Sequence, residues 1–158
     1  DDVVVLGIGG SALGPIALRT ALCTPGWNQL DAAARGGRPR LHVLDNVDPR
    51  TIGALLDQLR LERTLFVVTS KSGGTAETMA QFLVVADRLR QAGRPLAEHL
   101  VLVTDPEKGA LRALARLAER QEAAPATVVV APPPSRLAWF ALGAVVAGLA
   151  GLAGWLVG

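Results

Sequence analysis

Five short, largely apolar runs punctuate the chain: Val3–Leu6, Leu41–Leu44, Thr64–Val68, Leu100–Thr104 and Thr127–Val130. A helix-compatible stretch follows each of the first four, at Gly14–Leu22, Pro49–Leu59, Thr75–Gln91 and Lys108–Arg120. Runs this short, apolar at successive positions, offer no polar face to water and need cover on both sides. Strand–helix alternation of that kind predicts an α/β domain: a doubly wound, mostly parallel five-stranded sheet flanked by helices, with right-handed crossovers. Ligands of such sheets bind beyond the carboxyl ends of the strands.

Local punctuation supports these boundaries. Asp48-Pro49 reads as an N-cap followed by proline at the first helical position. Asp105-Pro106-Glu107-Lys108 resembles it, with acidic groups favoured by the helix dipole. Gly93 reads as the glycine just past a helix end. Between the first two units, Thr24–Arg40 contains Pro25, Gly26, Gly36, Gly37 and Pro39 and reads as a loop with a short helical turn around Leu30–Ala34.

Two of the strand ends carry glycine- and hydroxyl-rich turns. Val3–Leu6 runs into Gly7-Ile8-Gly9-Gly10-Ser11, and Thr64–Val68 into Thr69-Ser70-Lys71-Ser72-Gly73-Gly74-Thr75. Such turns, opening onto helices, converge N–H groups and hydroxyls on one spot, which suits a phosphate dianion. The first also fits the dinucleotide fingerprint G-x-G-x-x-G/A, but Asp45 falls later than that fold's ribose-binding acid. A dinucleotide domain has no use for the second turn either. The bland alternative is that Gly73 and Gly74 merely tighten a turn whose hydroxyls cap the next helix. Glu77 in the first helical turn suits the dipole there and is expected to point away from a bound anion.

Composition narrows the partners. The 158 residues suit one domain, with 50% hydrophobic and 19% charged residues. The sixteen Lys and Arg are scattered and aromatics are only 4%, so nucleic-acid binding is not expected. A single cysteine, Cys23, leaves no internal disulfide or cysteine-based zinc site and fits a reducing, cytoplasmic compartment. The opening Asp1-Asp2-Val3 leads straight into a strand and reads as the middle of a longer protein.

Three segments together resemble the glucose-6-phosphate isomerase family: Gly7-Ile8-Gly9-Gly10-Ser11, His42-Val43-Leu44-Asp45-Asn46-Val47-Asp48-Pro49, and Ser70-Lys71-Ser72-Gly73-Gly74-Thr75-Ala76-Glu77-Thr78. Their order and spacing look like the family's first sugar-isomerase (SIS) domain, and Thr104–Leu111 resembles its next strand–helix junction. The similarity covers about residues 3–130. It implies that Gly9, Gly10 and Ser11 line the substrate site while Ser70, Lys71, Ser72 and Thr75 grip the substrate phosphate, Lys71 either through its charge or through its backbone amide alone with the side chain in solvent. It implies an aldose–ketose isomerase of glycolysis and gluconeogenesis, without metal or organic cofactor, acting as a homodimer.

The family's Gly-Gly-Arg-Phe-Ser-like segment has its nearest match at Pro134-Ser135-Arg136-Leu137-Ala138. Arg136 is therefore the catalytic candidate in this chain, although Ser135 replaces a glycine beside it. The base and ring-opening groups belong to the family's second half, so the fragment alone is expected to bind without turnover. His42 and His99 are expected to be structural. The alternatives are a non-catalytic SIS sensor of sugar phosphates and a membrane-anchored derivative.

That last alternative comes from the tail. Residues 1–136 read as the sugar-phosphate domain, and Leu137–Gly158 is uncharged. At about 1.5 Å per residue it could span a hydrocarbon core of about 30 Å. Gly143, Gly148, Gly151 and Gly154 weaken an isolated helix, so a buried helix ending the domain is the favoured reading and a membrane is not expected as a partner.

Overall fold

The computed structural model describes residues 1–105, 107, 109–114 and 127–130. Its elements are β1 (Asp2–Leu6), α1 (Gly10–Leu22), β2 (Arg40–Leu44), α2 (Pro49–Gln58), β3 (Thr64–Ser70), α3 (Ala76–Gln91), α4 (Leu96–His99), β4 (Leu100–Thr104), a helix over residues 110–114 (α5) and β5 (Thr127–Val130). The strands form one sheet in the order β2-β1-β3-β4-β5, parallel at every pairing.

Alternation along the strands divides the core between the two faces. Val4, Leu6, Phe66, Val68, Leu100 and Leu102 share one side with Ile52 and Leu56 of α2 and Phe82, Val85, Ala86 and Leu89 of α3. Val3, Val5, Val67, Val101 and Val103 form the other. Chain order assigns the helices. From β1 the chain steps one way to β2, then back across β1 to β3 and on to β4. Right-handed crossovers in opposite directions put α1 on the face opposite α2 and α3, which makes the domain doubly wound. The direction reverses between β1 and β3.

Local chemistry accounts for the ends. Asp48 caps α2 as expected, accepting from the Arg50 and Thr51 amides at 3.3 and 3.0 Å and from Thr51 Oγ1 at 2.6 Å. These bonds, the Thr51 hydroxyl first, lower its carboxyl pKa. Gly93, at φ 68°, closes α3 in a Schellman arrangement, with its own amide bonded to Arg90 O and that of Arg94 to Leu89 O, both at 2.9 Å.

Several boundaries differ from the sequence reading. α1 begins at Gly10 rather than Gly14, because Gly9 takes φ 57° and turns the chain into the helix early, leaving Pro15 inside it. β3 continues through Thr69 and Ser70, which pair with Val103 and Thr104. Asp105 Oδ1 accepts from the Glu107 amide at 2.9 Å in a local turn; the helix described there starts at Ala110, after Gly109. In the 24–40 loop a 3-10 turn forms at Trp27–Gln29, ahead of the Asp31 carbonyl-to-Arg35 amide turn. The short α4 was not anticipated. Arg136 and the apolar tail lie outside the described residues, and among the described residues no helix is long and apolar enough to cross a membrane.

Candidate functional site

Both glycine-rich turns leave the carboxyl ends of β1 and β3, which are nearest neighbours in register Leu6↔Val68. They therefore meet at the point where the winding reverses, the crevice in which such sheets bind ligands. Gly7 is where the first turn packs against β3. A Cβ on it would lie 3.1 Å from Ser11 Cβ and 3.3 Å from the Thr69 carbonyl oxygen. Farther out, Gly9 and Gly10 are exposed, and among the described residues nothing lies within 4 Å of where their Cβ atoms would be. A ligand can come against the backbone there.

The first turn's amides are bonded at its two ends, Gly7 N donating to Leu44 O at 3.2 Å, whereas those of Ile8, Gly9 and Gly10 make no hydrogen bond among the described residues. Ser11 N donates to Ile8 O at 3.2 Å, while Ala12 N and Leu13 N both donate to Gly9 O, at 3.0 and 2.9 Å. The Ser11 side chain, half-buried in the first turn of α1, makes no hydrogen bond among the described residues. This turn offers close approach, one hydroxyl and the amides of Ile8, Gly9 and Gly10.

The second turn is arranged differently. Ser70 is buried at the end of β3, and its Oγ lies 3.3 Å from Oγ1 of Thr75. Thr75 is the N-cap residue of α3, yet its side chain caps nothing. The bland reading, in which these hydroxyls serve as caps, fails on that point. With the side chain turned away, the first amides of a sixteen-residue helix keep the positive end of the dipole uncompensated by a cap. Ser72 is exposed, and its Oγ accepts from the Gly74 amide at 3.3 Å, leaving its own hydrogen free to donate. Lys71 is exposed and makes no hydrogen bond or ion pair among the described residues. Glu77 is exposed on the first turn of α3.

Both histidines hold structure at the opposite end of the sheet. His42 Nε2 sits 3.1 Å from Asp2 Oδ1, and His99 Nδ1 lies 3.0 Å from the Thr64 carbonyl oxygen, which makes that nitrogen the donor. Asp2 also takes a two-pronged bond from Arg40, 2.7 Å on each oxygen. Burial raises its carboxyl pKa, but the bonds from His42 and Arg40 outweigh that and hold it at about 2.

One contributor escaped the sequence reading. Gln81 is buried on α3, and its Nε2 donates to the Leu44 and Asn46 carbonyls at 3.0 and 2.7 Å. It ties the β2–α2 turn to the helix that carries the Ser70–Thr75 loop. The available signal was a lone amide among the apolar positions of that helix, with Phe82, Val85, Ala86 and Leu89.

The chain matches the phosphoglucose isomerase family over residues 1–111. It belongs to that family. A glucose-6-phosphate isomerase of Carboxydothermus hydrogenoformans is 53% identical over 114 residues, 72% of this chain and 24% of the relative. Among solved structures, a hypothetical protein from Thermus thermophilus superposes with TM-score 0.73 at 37% identity, over 95% of this chain and 33% of that one. A glucose-6-phosphate isomerase from Chlamydia trachomatis gives 0.55 at 34% identity, over 68% and 19%. The chain thus spans about a quarter of the length of the curated relatives it matches. The three segments that suggested a phosphoglucose isomerase all fall inside the matched region, whereas Arg136 lies beyond it.

Proposed function

We propose that this chain is the sugar-phosphate-binding part of an aldose–ketose isomerase interconverting glucose 6-phosphate and fructose 6-phosphate. The observation that carries the reading is the uncapped start of α3, with Thr75 Oγ1 turned to Ser70 instead of its own helix. A phosphate dianion there meets the helix dipole, the Ser70, Ser72 and Thr75 hydroxyls and the Lys71 ammonium. The sugar then extends toward the β1–α1 turn, where Gly9 and Gly10 leave room and Ser11 supplies a hydroxyl.

This division of labour sets what the chain can do. Isomerisation moves a proton between adjacent carbons through an enediol after ring opening, which needs a carboxylate base and acid/base groups. In this reading, residues 1–136 bind and orient, Arg136 faces the charge that develops on the enediol, and the rest of a longer homodimeric, cytoplasmic enzyme supplies the proton transfers without metal or cofactor. Titration of the 158-residue chain with glucose 6-phosphate tests this. Saturable binding that Ser70→Ala weakens, with no isomerase turnover, is the expected result. Equal affinity in wild type and Ser70→Ala removes the phosphate grip, and turnover by the chain alone removes the division of labour.

A further inference from the structure

Gly109 lies between β4 and α5, against the middle of the Ser70–Thr75 loop. Its φ is 95°, in the region that strains an L side chain. A Cβ placed there would come within 2.8 Å of Gly73 Cα and 3.0 Å of the Gly73 carbonyl carbon, and closer still to the Ser72 carbonyl oxygen. All three are backbone atoms, so no rotamer change relieves the overlap. Two residues on, the Leu111 amide donates to Gly73 O at 2.9 Å, and the Leu111 side chain is fully buried in the core beneath α3. Gly73 is itself buried, with φ 65°. The loop is thus fixed at its ends by β3 and α3, and at its centre by a glycine and an amide anchored in the core.

We infer that Gly109 is a positioning residue for the phosphate loop. Its missing side chain, together with the Leu111 amide, sets the Ser72–Gly73 backbone and so aims the Ser72 hydroxyl and the neighbouring amides. This rests on the phosphate reading given above. A displacement of about 1 Å takes a hydrogen bond of about 2.9 Å out of range.

Gly93 supplies the control, since it also has a left-handed φ, 68°, but among the described residues nothing within 4 Å of a would-be Cβ. Gly109→Ala and Gly93→Ala therefore share the backbone strain and differ in the contact. The 158-residue chain, labelled for amide NMR, is titrated with glucose 6-phosphate in wild type and both variants. Both variants lose thermal stability; only Gly109→Ala displaces the Ser72, Gly73 and Gly74 amide signals in the free chain and weakens binding, by about 10- to 100-fold, the loss of one hydrogen bond to a charged group. Equal affinity of the two variants overturns the inference. If Gly109→Ala does not fold, hydrogen exchange in the wild type decides: saturating glucose 6-phosphate slows exchange of the Leu111 amide, and an unchanged rate overturns the coupling. A wild-type chain that shows no response to glucose 6-phosphate overturns the phosphate reading, and the inference with it.

Discussion

Replacing the Thr75 hydroxyl by a methyl group separates two roles that usually go together. A threonine at an N-cap ordinarily accepts from an amide of the first turn, and losing that bond costs about 1 kcal/mol. In a domain of this size such a loss lowers the melting midpoint by about 2–4 °C. Thr75 makes no capping bond, and its 3.3 Å contact with Ser70 is long for two hydroxyls. Thr75→Val is therefore expected to move the midpoint by less than about 1 °C. Affinity should behave in the opposite way. A hydroxyl donating to a phosphate dianion contributes about 1.5–3 kcal/mol, or roughly 10- to 150-fold in Kd. Calorimetric melting combined with glucose 6-phosphate titration reads both quantities on one sample. Asp48→Ala is the reference, because Asp48 does cap its helix through the Arg50 and Thr51 amides, and it should lower the midpoint without touching affinity. A Thr75→Val chain that melts as early as Asp48→Ala while binding sugar phosphate like wild type refutes the reasoning: Thr75 would then be a cap and nothing more.

Two further outcomes are expected. Gln81→Leu removes the buried amide that bonds Leu44 O and Asn46 O, and should destabilise the fold by about 1–3 kcal/mol in urea titration, since the Asn46 carbonyl is left without its 2.7 Å donor. A Gln81→Leu midpoint equal to wild type would show that the two bonds add no net stability. Asp2 has a folded pKa of about 2 against an ordinary 3.8, so the folded state holds its charge to lower pH than the unfolded chain does. That stability is fully present above about pH 4 and disappears as the pH falls through about 2, worth on the order of 2 kcal/mol. The gap between wild type and Asp2→Asn should accordingly narrow across that window, and a gap independent of pH would contradict it.

The strand–helix alternation was legible because strand and helix preference acts over a few residues. Val3–Leu6 and Thr64–Val68 cannot face water on either side, and Asp48-Pro49 and Gly93 mark helix ends by their own backbone chemistry. The misjudged starts have equally local causes. The sequence reading places the start of the first helix at Gly14, but the positive φ of Gly9 lets α1 form four residues sooner. The two turns were recognisable as phosphate-binding candidates by residue type. Nothing in their residues said whether the hydroxyls capped α3 or faced outward, because that depends on which way the Thr75 side chain turns in the folded chain.

Gln81 and Gly109 show where sequence reading stops. An amide on a helix and a glycine in a connection are ordinary on their own; their meaning lies in the Asn46 carbonyl and the Ser72–Gly73 backbone, which chain order brings near only after the sheet is assembled. The sequence by itself determined an α/β chain with short buried strands and two anion-suited turns, since patterning and turn chemistry are properties of neighbours along the chain. Only the tertiary structure decided that β1 and β3 lie side by side, so that the turns share one crevice and the β4–α5 connection props one of them. Strand order is settled by the handedness of the crossovers and by burial of both sheet faces, and those forces act between residues far apart in the chain.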